Sequence, residues 1–144
     1  MPNKQNVSVL SFRHAALCVS LALAACASLD SRPPEERVRQ RVAERWQAMA
    51  AGDMSRAYSY TPPSFRELVS FDVYRQRFGI GGSWVGGEAV SVNCADTAKC
   101  TARVRVDFKP LLVKGFDDKI STHTDETWLL EGGQWWLFQT IDGK

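Results

Sequence analysis

Residues 119–141 read KISTHTDETWLLEGGQWWLFQTI, and this stretch determines the fold class. Two segments with strand-like composition, Lys119–Glu131 and Gln134–Ile141, are separated only by Gly132 and Gly133. A two-residue connection between antiparallel strands needs positive φ angles, which glycine adopts without steric cost. We therefore predict a β-hairpin at the C-terminal end of the chain.

The two-residue turn also fixes which side chains share a face of the hairpin. Glu131 pairs with Gln134, and the register runs outward from that pair. One face then carries two tryptophans, two leucines and an isoleucine, so we expect helices to pack against it. The residues on this face are Thr124, Glu126, Trp128, Leu130, Trp135, Leu137, Gln139 and Ile141.

The opposite face of the hairpin carries a second apolar group. Leu129, Trp136 and Phe138 lie there, which is more apolar surface than a solvated sheet face normally exposes. We interpret these three residues as a contact surface for another protein. The same face holds His123 and Asp125, but no serine or cysteine nucleophile is arranged with them, so we interpret the two as a solvated pair.

Two further strands are predicted before the hairpin, at Glu88–Cys94 and Cys100–Phe108. The second shows strict alternation of apolar and polar residues, which is typical of a half-buried strand. Five glycines between positions 79 and 87 predict a flexible entry to the first strand. They do not form a nucleotide-binding loop, because such a loop needs a strand before it and a helix after it.

The N-terminal half of the folded region is predicted to be helical. Apolar residues recur at spacings of four, four and three over Pro34–Ala51, which indicates an amphipathic helix. Gly52 ends this helix, and Asp53 is placed to cap a second, short one. The apolar stripe of the first helix is Val38, Val42, Trp46 and Met49. Two more short helical segments are predicted after the second helix, at Ser64–Ser70 and at Asp72–Phe78, and Asp72 is the predicted cap of the last one.

The first 25 residues suit a secretory signal peptide. Basic and polar residues precede an eleven-residue apolar segment, Ala15–Ala25. That segment is too short to span a membrane as a helix, which needs about 20 residues. It ends in Leu23-Ala24-Ala25-Cys26, which resembles the lipobox of bacterial lipoprotein precursors.

The lipobox resemblance implies cleavage before Cys26 and acylation of that cysteine. Residues 26–34 would then be the lipidated cysteine and a short tether, with 35–141 as the domain. Ala27 and Ser28 follow without an aspartate, which by the enterobacterial sorting rule implies the periplasmic side of the outer membrane. The alternative is a buried amphipathic helix in which the lipobox pattern arises by chance.

Charge and size exclude several classes of protein. The 144 residues suit one domain, and the chain has 18 basic and 16 acidic side chains. Lys4 and Arg13 are the two basic residues of segment 1–25, which has no acidic residue, so 16 of each sign remain beyond it. A domain without net charge lacks the field that attracts nucleic acid, and we expect no nucleic-acid partner.

Two cysteines remain after the signal peptide and Cys26 are set aside. Cys94 and Cys100 flank five residues between two predicted strands, at the separation that cross-strand neighbours offer a disulfide. In an oxidising periplasm they should pair. A zinc site is the alternative, but it lacks two ligands and only His123 is near in sequence, so no metal or other cofactor is expected.

The order of elements resembles the nuclear-transport-factor-two-like superfamily over residues 35–141. The resembling patterns are Trp46…Gly52-Asp53…Ala57-Tyr58 and Glu126-Thr127-Trp128…Gly132-Gly133-Gln134-Trp135. The resemblance implies an α+β fold in which a long N-terminal helix and short helices cover the concave face of a curved, mainly antiparallel four-stranded sheet. It also implies an internal pocket, for which the candidates are Tyr58, Tyr60, Tyr74, Glu126, Trp128 and Gln139.

Within that pocket Glu126 is the one acidic residue that the register places on the concave face. In some members a carboxylate acts as a base beside a tyrosine, and burial would favour that role by raising the pKa of the carboxyl. The alternative is that Glu126 hydrogen-bonds Gln139 or lies in water at the end of the sheet. No complete catalytic set emerges, so we do not predict an enzyme.

Two functional hypotheses follow for this outer-membrane lipoprotein. The favoured one is a non-catalytic binding or assembly module, which contacts a second copy or another envelope protein through Leu129, Trp136 and Phe138. The other is a carrier of a small apolar ligand, or an isomerase- or lyase-type enzyme, that uses the pocket.

Overall fold

The computed structural model describes residues 30–78, 82–111, 114–115 and 118–142. The predicted signal peptide, Cys26 and the tether up to residue 29 lie outside the described residues. All the elements below belong to one unit, Arg32–Lys144, which has its own buried core, so the segment 27–144 contains the whole of it. None of the helices in the described ranges is long and apolar enough to cross a membrane.

The predicted α+β fold class is confirmed. Four helices pack on one open antiparallel sheet in which the strands follow chain order, and the long first helix makes most of the contacts between the helices and the sheet. The elements are α1 (Pro34–Ala50), α2 (Met54–Tyr58), α3 (Pro63–Leu68), α4 (Phe71–Gln76), β1 (Gly82–Asp96), β2 (Lys99–Pro110), β3 (Ile120–Glu131) and β4 (Gln134–Leu137).

Two of the three short helices, α2 and α4, begin at a side chain that accepts a hydrogen bond from a backbone N–H of the first turn. The carboxylate of Asp53 accepts the N–H of Arg56 at 2.9 Å, as predicted. The predicted cap of α4 is wrong, because Ser70 caps it by accepting the N–H of Val73. Asp72 lies inside the first turn instead, where its charge favours the helix N-terminus.

The predicted C-terminal hairpin is confirmed in its turn and register. Gly132 and Gly133 have φ angles of 60° and 79°, and Glu131 pairs with Gln134. Trp128, Trp135 and Leu137 are buried on the face beneath the helices, also as predicted. The core they join comprises Val38, Val42, Trp46, Ala48, Met49, Ala57, Tyr60, Ala89, Val92, Cys100, Ala102, Val104 and Val106.

The end of the hairpin differs from the prediction. β4 ends at Leu137, so the predicted pairs of Glu126 with Gln139 and of Thr124 with Ile141 do not form. Thr124 pairs only with Val104 of β2. The chain leaves the sheet because its later carbonyls, at Thr140 and Ile141, accept hydrogen bonds from Arg77 beyond α4 instead of from β3.

The first strand is longer than predicted. β1 begins at Gly82, so Gly82, Gly86 and Gly87 lie inside the sheet and not in a flexible entry. The register shifts between Trp84 and Gly86, which marks a β-bulge, and bulges accommodate glycine in a strand. β1 therefore reaches far enough to place Trp84 beneath α1.

Arginines of α1 bind the helix to both edge strands. The Arg41 side chain donates to the carbonyl of Trp135 at 3.1 Å, and Arg37 donates to that of Gly133 at 2.9 Å. On the other side of the helix, Arg39 donates to the carbonyl of Ala89 in β1. These bonds occupy backbone groups at strand edges that would otherwise be open to pairing with another strand.

The two cysteines predicted to pair are neighbours in the β1–β2 register. The Sγ atoms of Cys94 and Cys100 are 2.00 Å apart, a covalent distance. No group of three or more His, Cys, Asp or Glu side chains that could hold a metal ion occurs in the described parts of the chain.

Candidate ligand-binding cavity

A cavity of about 490 Å³ lies between the concave face of the sheet and the helices. Its size falls within the range of small-molecule sites in proteins. Helix α1, the end of α4, all four strands and the segment after β4 contribute to it. The lining residues are Arg45, Trp46, Arg77, Phe78, Trp84, Val106, Thr122, Thr124, Asp125, Glu126, Thr127, Leu137, Phe138, Gln139 and Thr140.

Three aromatic rings form the apolar wall of the cavity. Trp46 and Trp84 meet edge to face, with ring centroids 5.5 Å apart, and Phe78 meets Trp84 in the same way at 6.5 Å. Aromatic pairs favour this geometry because the positive edge of one ring faces the negative face of the other. The wall is therefore fixed by the rings themselves and offers flat apolar surface to a ligand.

Gly87 allows Trp46 to lie against the sheet. A Cβ atom at position 87 would be 2.5 Å from Cγ and 2.6 Å from Cδ2 of Trp46, closer than such atoms can approach. At the neighbouring Gly86 a Cβ atom would meet nothing within 4 Å. The position of one cavity wall thus depends on the absence of a side chain at residue 87.

A buried ion pair forms the inner end of the cavity. The Arg45 Nη1 atom donates to Oε1 of Glu126 at 2.7 Å, and the two side chains are 3% and 7% exposed. Trp46 Nε1 donates to the same oxygen at 2.9 Å, and Trp128 Nε1 donates to Oε2 at 3.2 Å. The carboxylate therefore accepts three hydrogen bonds, two on Oε1 and one on Oε2.

Local structure explains how these groups meet. Glu126 and Trp128 are two residues apart on β3, so both side chains point to the concave face. Arg45 lies three residues beyond Val42 and seven beyond Val38, which places it on the buried stripe of α1. A buried charge needs a partner, and Glu126 provides it.

Arg45 retains unused hydrogen-bonding capacity. Its Nε atom is buried without a hydrogen-bond partner, although the guanidinium carries five N–H donors. The Tyr74 hydroxyl is likewise buried without a partner. Burial raises the pKa of Tyr74 above its ordinary value, an effect that the positive charge of Arg45 partly opposes.

The structure brings together only part of the predicted pocket. Glu126 and Gln139 line the cavity, and Trp128 touches it only through its bond to Glu126. Neither alternative for Glu126 is found, since it is buried and bonded to Arg45 instead of to Gln139 or water.

The three predicted pocket tyrosines lie elsewhere. Tyr58 and Tyr74 pack ring to ring, with centroids 5.0 Å apart, in a separate small cluster with Phe65 and Val69. The Tyr60 hydroxyl donates to Glu44 at 3.1 Å. The short helices stack these rings against one another, which the apolar spacing of the sequence did not reveal.

The predicted protein-contact surface is divided in the structure. Trp136 is half-buried, with the guanidinium carbons of Arg41 and Arg66 at 5.7 and 5.4 Å from its ring. Phe138 is 50% exposed but belongs to the lining of the cavity. A protein contact through these residues and Leu129 stays a prediction.

Ion pairs occupy the outer face of the sheet. Arg103 pairs with Asp125 at 2.9 Å and Arg105 with Glu88 at 3.0 Å, all largely exposed. The Asp107 carboxylate accepts hydrogen bonds from Ser121 and Lys119, which lower its pKa below the ordinary value. This face is charged and solvated, as the alternation of β2 indicated, and it offers no catalytic set in the residues described.

Arg77 holds the chain segment that borders the cavity. Its Nη1 and Nη2 atoms donate to the carbonyls of Thr140 and Ile141 at 2.8 and 2.6 Å. Phe138 is fixed at the other end, where its N–H donates to the carbonyl of Thr127 at 2.8 Å. The segment 138–141 thus borders the cavity through a few polar contacts and not through a β-ladder.

The site defines a small α+β domain with a cavity of mixed apolar and polar lining and a neutralised charge pair at its inner end. Two solved structures have a similar fold. The solution structure of RPA3114, a SEC-C motif containing protein from Rhodopseudomonas palustris, aligns with a TM-score of 0.53 and 20% identity, over 74% of this chain and 76% of that one. A SEC-C motif containing protein from Psychrobacter arcticus aligns with a TM-score of 0.53 and 15% identity, over 75% of this chain and 60% of that one.

At these identities the likeness concerns the fold alone. This chain spans less than two thirds of the Psychrobacter protein. No protein-family model matches the chain, and no curated protein matches it in sequence.

Proposed function

We propose that residues 35–141 form a non-catalytic domain that binds a small, mostly apolar molecule in the cavity. The proposal is based on the cavity of about 490 Å³, which has aromatic walls and a buried charge pair at its inner end. Ligand sites typically combine apolar walls with a few polar groups that orient the ligand. The proposal takes up the ligand carrier, which was the alternative hypothesis from the sequence, in preference to the favoured protein-contact module, and it keeps the nuclear-transport-factor-two-like domain as a proposal.

The surroundings of Glu126 support binding over catalysis. A general base must have a lone pair free to accept a proton from the substrate. Here Arg45, Trp46 and Trp128 already donate to the two carboxylate oxygens, and an indole N–H can only donate. Three of the four lone pairs of the carboxylate are therefore engaged, and the one that remains, on Oε2, makes Glu126 a weaker candidate for a base than a free carboxylate.

We further propose that the domain is attached to the outer membrane, on the periplasmic side, through lipid on Cys26. This part rests on the lipobox pattern of residues 23–26. Two or more acyl chains give stable anchoring, whereas one chain gives only marginal binding. Labelling of cells with a radioactive fatty acid tests it, since a Cys26→Ser variant should incorporate none.

Filling part of the cavity should weaken binding of an apolar probe. We expect N-phenyl-1-naphthylamine, an uncharged dye that fluoresces in apolar surroundings, to bind the segment 27–144 exported to a periplasm. Thr122→Trp places a large side chain in the cavity lining and should lower the affinity for the dye at least about tenfold. An apolar molecule that loses about 60 Å² of contact surface loses roughly that much affinity.

His123→Trp is the matched control. It adds the same side chain one residue along β3, on the exposed opposite face, and should leave dye affinity unchanged. Equal dye affinity in the two variants, or no binding by the unaltered protein in either dye titration or native mass spectrometry, would contradict the proposal.

A further inference from the structure

The inner end of the cavity offers hydrogen-bond donors to a ligand and almost no acceptors. Arg45 lines the cavity and donates through Nη1 to Glu126, and its guanidinium carries five N–H donors and no acceptor. The guanidinium of Arg45 and the indole N–H groups of Trp46 and Trp128 can only donate, and each oxygen of Glu126 already accepts at least one of their bonds. A ligand that reaches this end therefore needs an acceptor of its own.

The charge at the inner end is neutralised before a ligand arrives. Glu126 lies 2.7 Å from Arg45, and both side chains are more than nine-tenths buried. A ligand carboxylate would bring a second negative charge close to Glu126, where little water is present to screen their repulsion. The pair therefore disfavours an anion, even though an arginine is part of the site.

Charges at the rim do not restore a preference for anions. Arg77 and Asp125 both line the cavity and have opposite signs. The Arg77 guanidinium donates to the carbonyls of Thr140 and Ile141, and Asp125 pairs with Arg103 on the outer face. Arg77 keeps its positive charge but already uses two N–H donors on the backbone, and Asp125 of opposite sign lines the same cavity.

We infer that the cavity selects uncharged ring compounds with a carbonyl-type acceptor, and that Glu126 sets this selectivity by neutralising Arg45. The inference rests on the proposed ligand-binding function and names its ligand class. The flat walls of Trp46 and Trp84 suit a ring system, and the Arg45 guanidinium suits a ketone, ester or amide oxygen. Glu126 is in this view a positioning residue that also determines charge preference.

Three probes of matched shape test the inference. They are 2-acetylnaphthalene, 2-ethylnaphthalene and 2-naphthoate, which differ at one substituent: a neutral acceptor, an apolar group and an anion. In displacement of N-phenyl-1-naphthylamine from the segment 27–144, we expect the ketone to bind about fivefold more tightly than the ethyl compound, the gain typical of one hydrogen bond. It should bind at least about tenfold more tightly than the carboxylate.

Glu126→Gln should reverse the charge preference. The glutamine keeps the shape of the side chain and an acceptor for Arg45, but it leaves the arginine charge uncompensated. The affinity for 2-naphthoate should then rise at least about tenfold, and 2-naphthoate should bind more tightly than the ketone. Glu131→Gln is the matched control, because it removes the same charge from an exposed position on β3 and should change no probe affinity.

The outcomes separate this inference from the proposed function. If the dye does not bind the unaltered protein, the ligand-binding function itself fails. If the dye binds but 2-naphthoate is its best competitor, or if folded Glu126→Gln keeps the original ranking, the selectivity inference is overturned and the binding function stands. If Glu126→Gln does not fold, the ranking of the three probes on the unaltered protein still decides.

Discussion

Replacing Arg45 with methionine should lower the free energy of unfolding by about 3–5 kcal/mol, the cost typical of removing one partner of a buried ion pair. Methionine preserves much of the side-chain volume, so packing changes little. The loss arises because the Glu126 carboxylate stays buried with only the indole N–H groups of Trp46 and Trp128 as donors. Urea-induced unfolding of the segment 27–144, followed by circular dichroism, measures it.

Two further variants show whether the loss comes from the unpaired charge. Arg45→Met combined with Glu126→Gln removes the charge as well, and should recover a large part of the lost stability. Arg75→Met breaks an ion pair with Asp72 whose side chains are 59% and 74% exposed, and should cost less than about 1 kcal/mol. If Arg45→Met lowered the free energy of unfolding no more than Arg75→Met does, the buried ion pair would contribute no more to stability than an exposed one.

The sequence was sufficient for the hairpin because local chemistry determines it. Gly132 and Gly133 adopt the positive φ angles that a two-residue turn needs, and the turn sets the register that places Trp128 and Trp135 on the same face. The periodicity of α1 likewise identified the helix and its apolar stripe. These features depend on residues close in the chain, and the structure agrees with them.

Features that depend on distant residues were not predictable in the same way. The end of β4 at Leu137 depends on Arg77, which lies 63 residues before Thr140 in the sequence. Tyr58 and Tyr74 were misplaced because the short helices pack them with Phe65 and Val69, and Tyr60 because it joins the main core and bonds Glu44.

One signal for the inner end of the cavity was present in the sequence. Arg45 stands on the apolar stripe of α1, between Val42 and Met49, where a charged residue is rarely buried without a partner. Glu126 was the acidic residue assigned to the concave face. Matching the two would have predicted the ion pair, although not the indole donors or the volume of the cavity.

Gly87→Ala should destabilise the domain by about 1–3 kcal/mol, the cost typical of overpacking a core. The added methyl group would overlap Cγ, Cδ1 and Cδ2 of Trp46, atoms that are held near the helix backbone. The indole cannot turn away freely, because its Nε1 donates to Glu126 and its ring meets Trp84. We therefore expect the variant to lose stability and also to bind N-phenyl-1-naphthylamine more weakly.

Gly86→Ala is a control one residue away on the same strand. Its methyl group would meet no atom within 4 Å, and its φ angle lies outside the left-handed region. The alanine should leave stability unchanged or raise it by up to about 1 kcal/mol, because it restricts the unfolded chain. Urea midpoints and dye affinities of the two variants measure the contrast. If Gly86→Ala and Gly87→Ala had the same urea midpoint and dye affinity, Trp46 would be able to move without disturbing Glu126. The aromatic wall of the cavity would then be adaptable and not fixed.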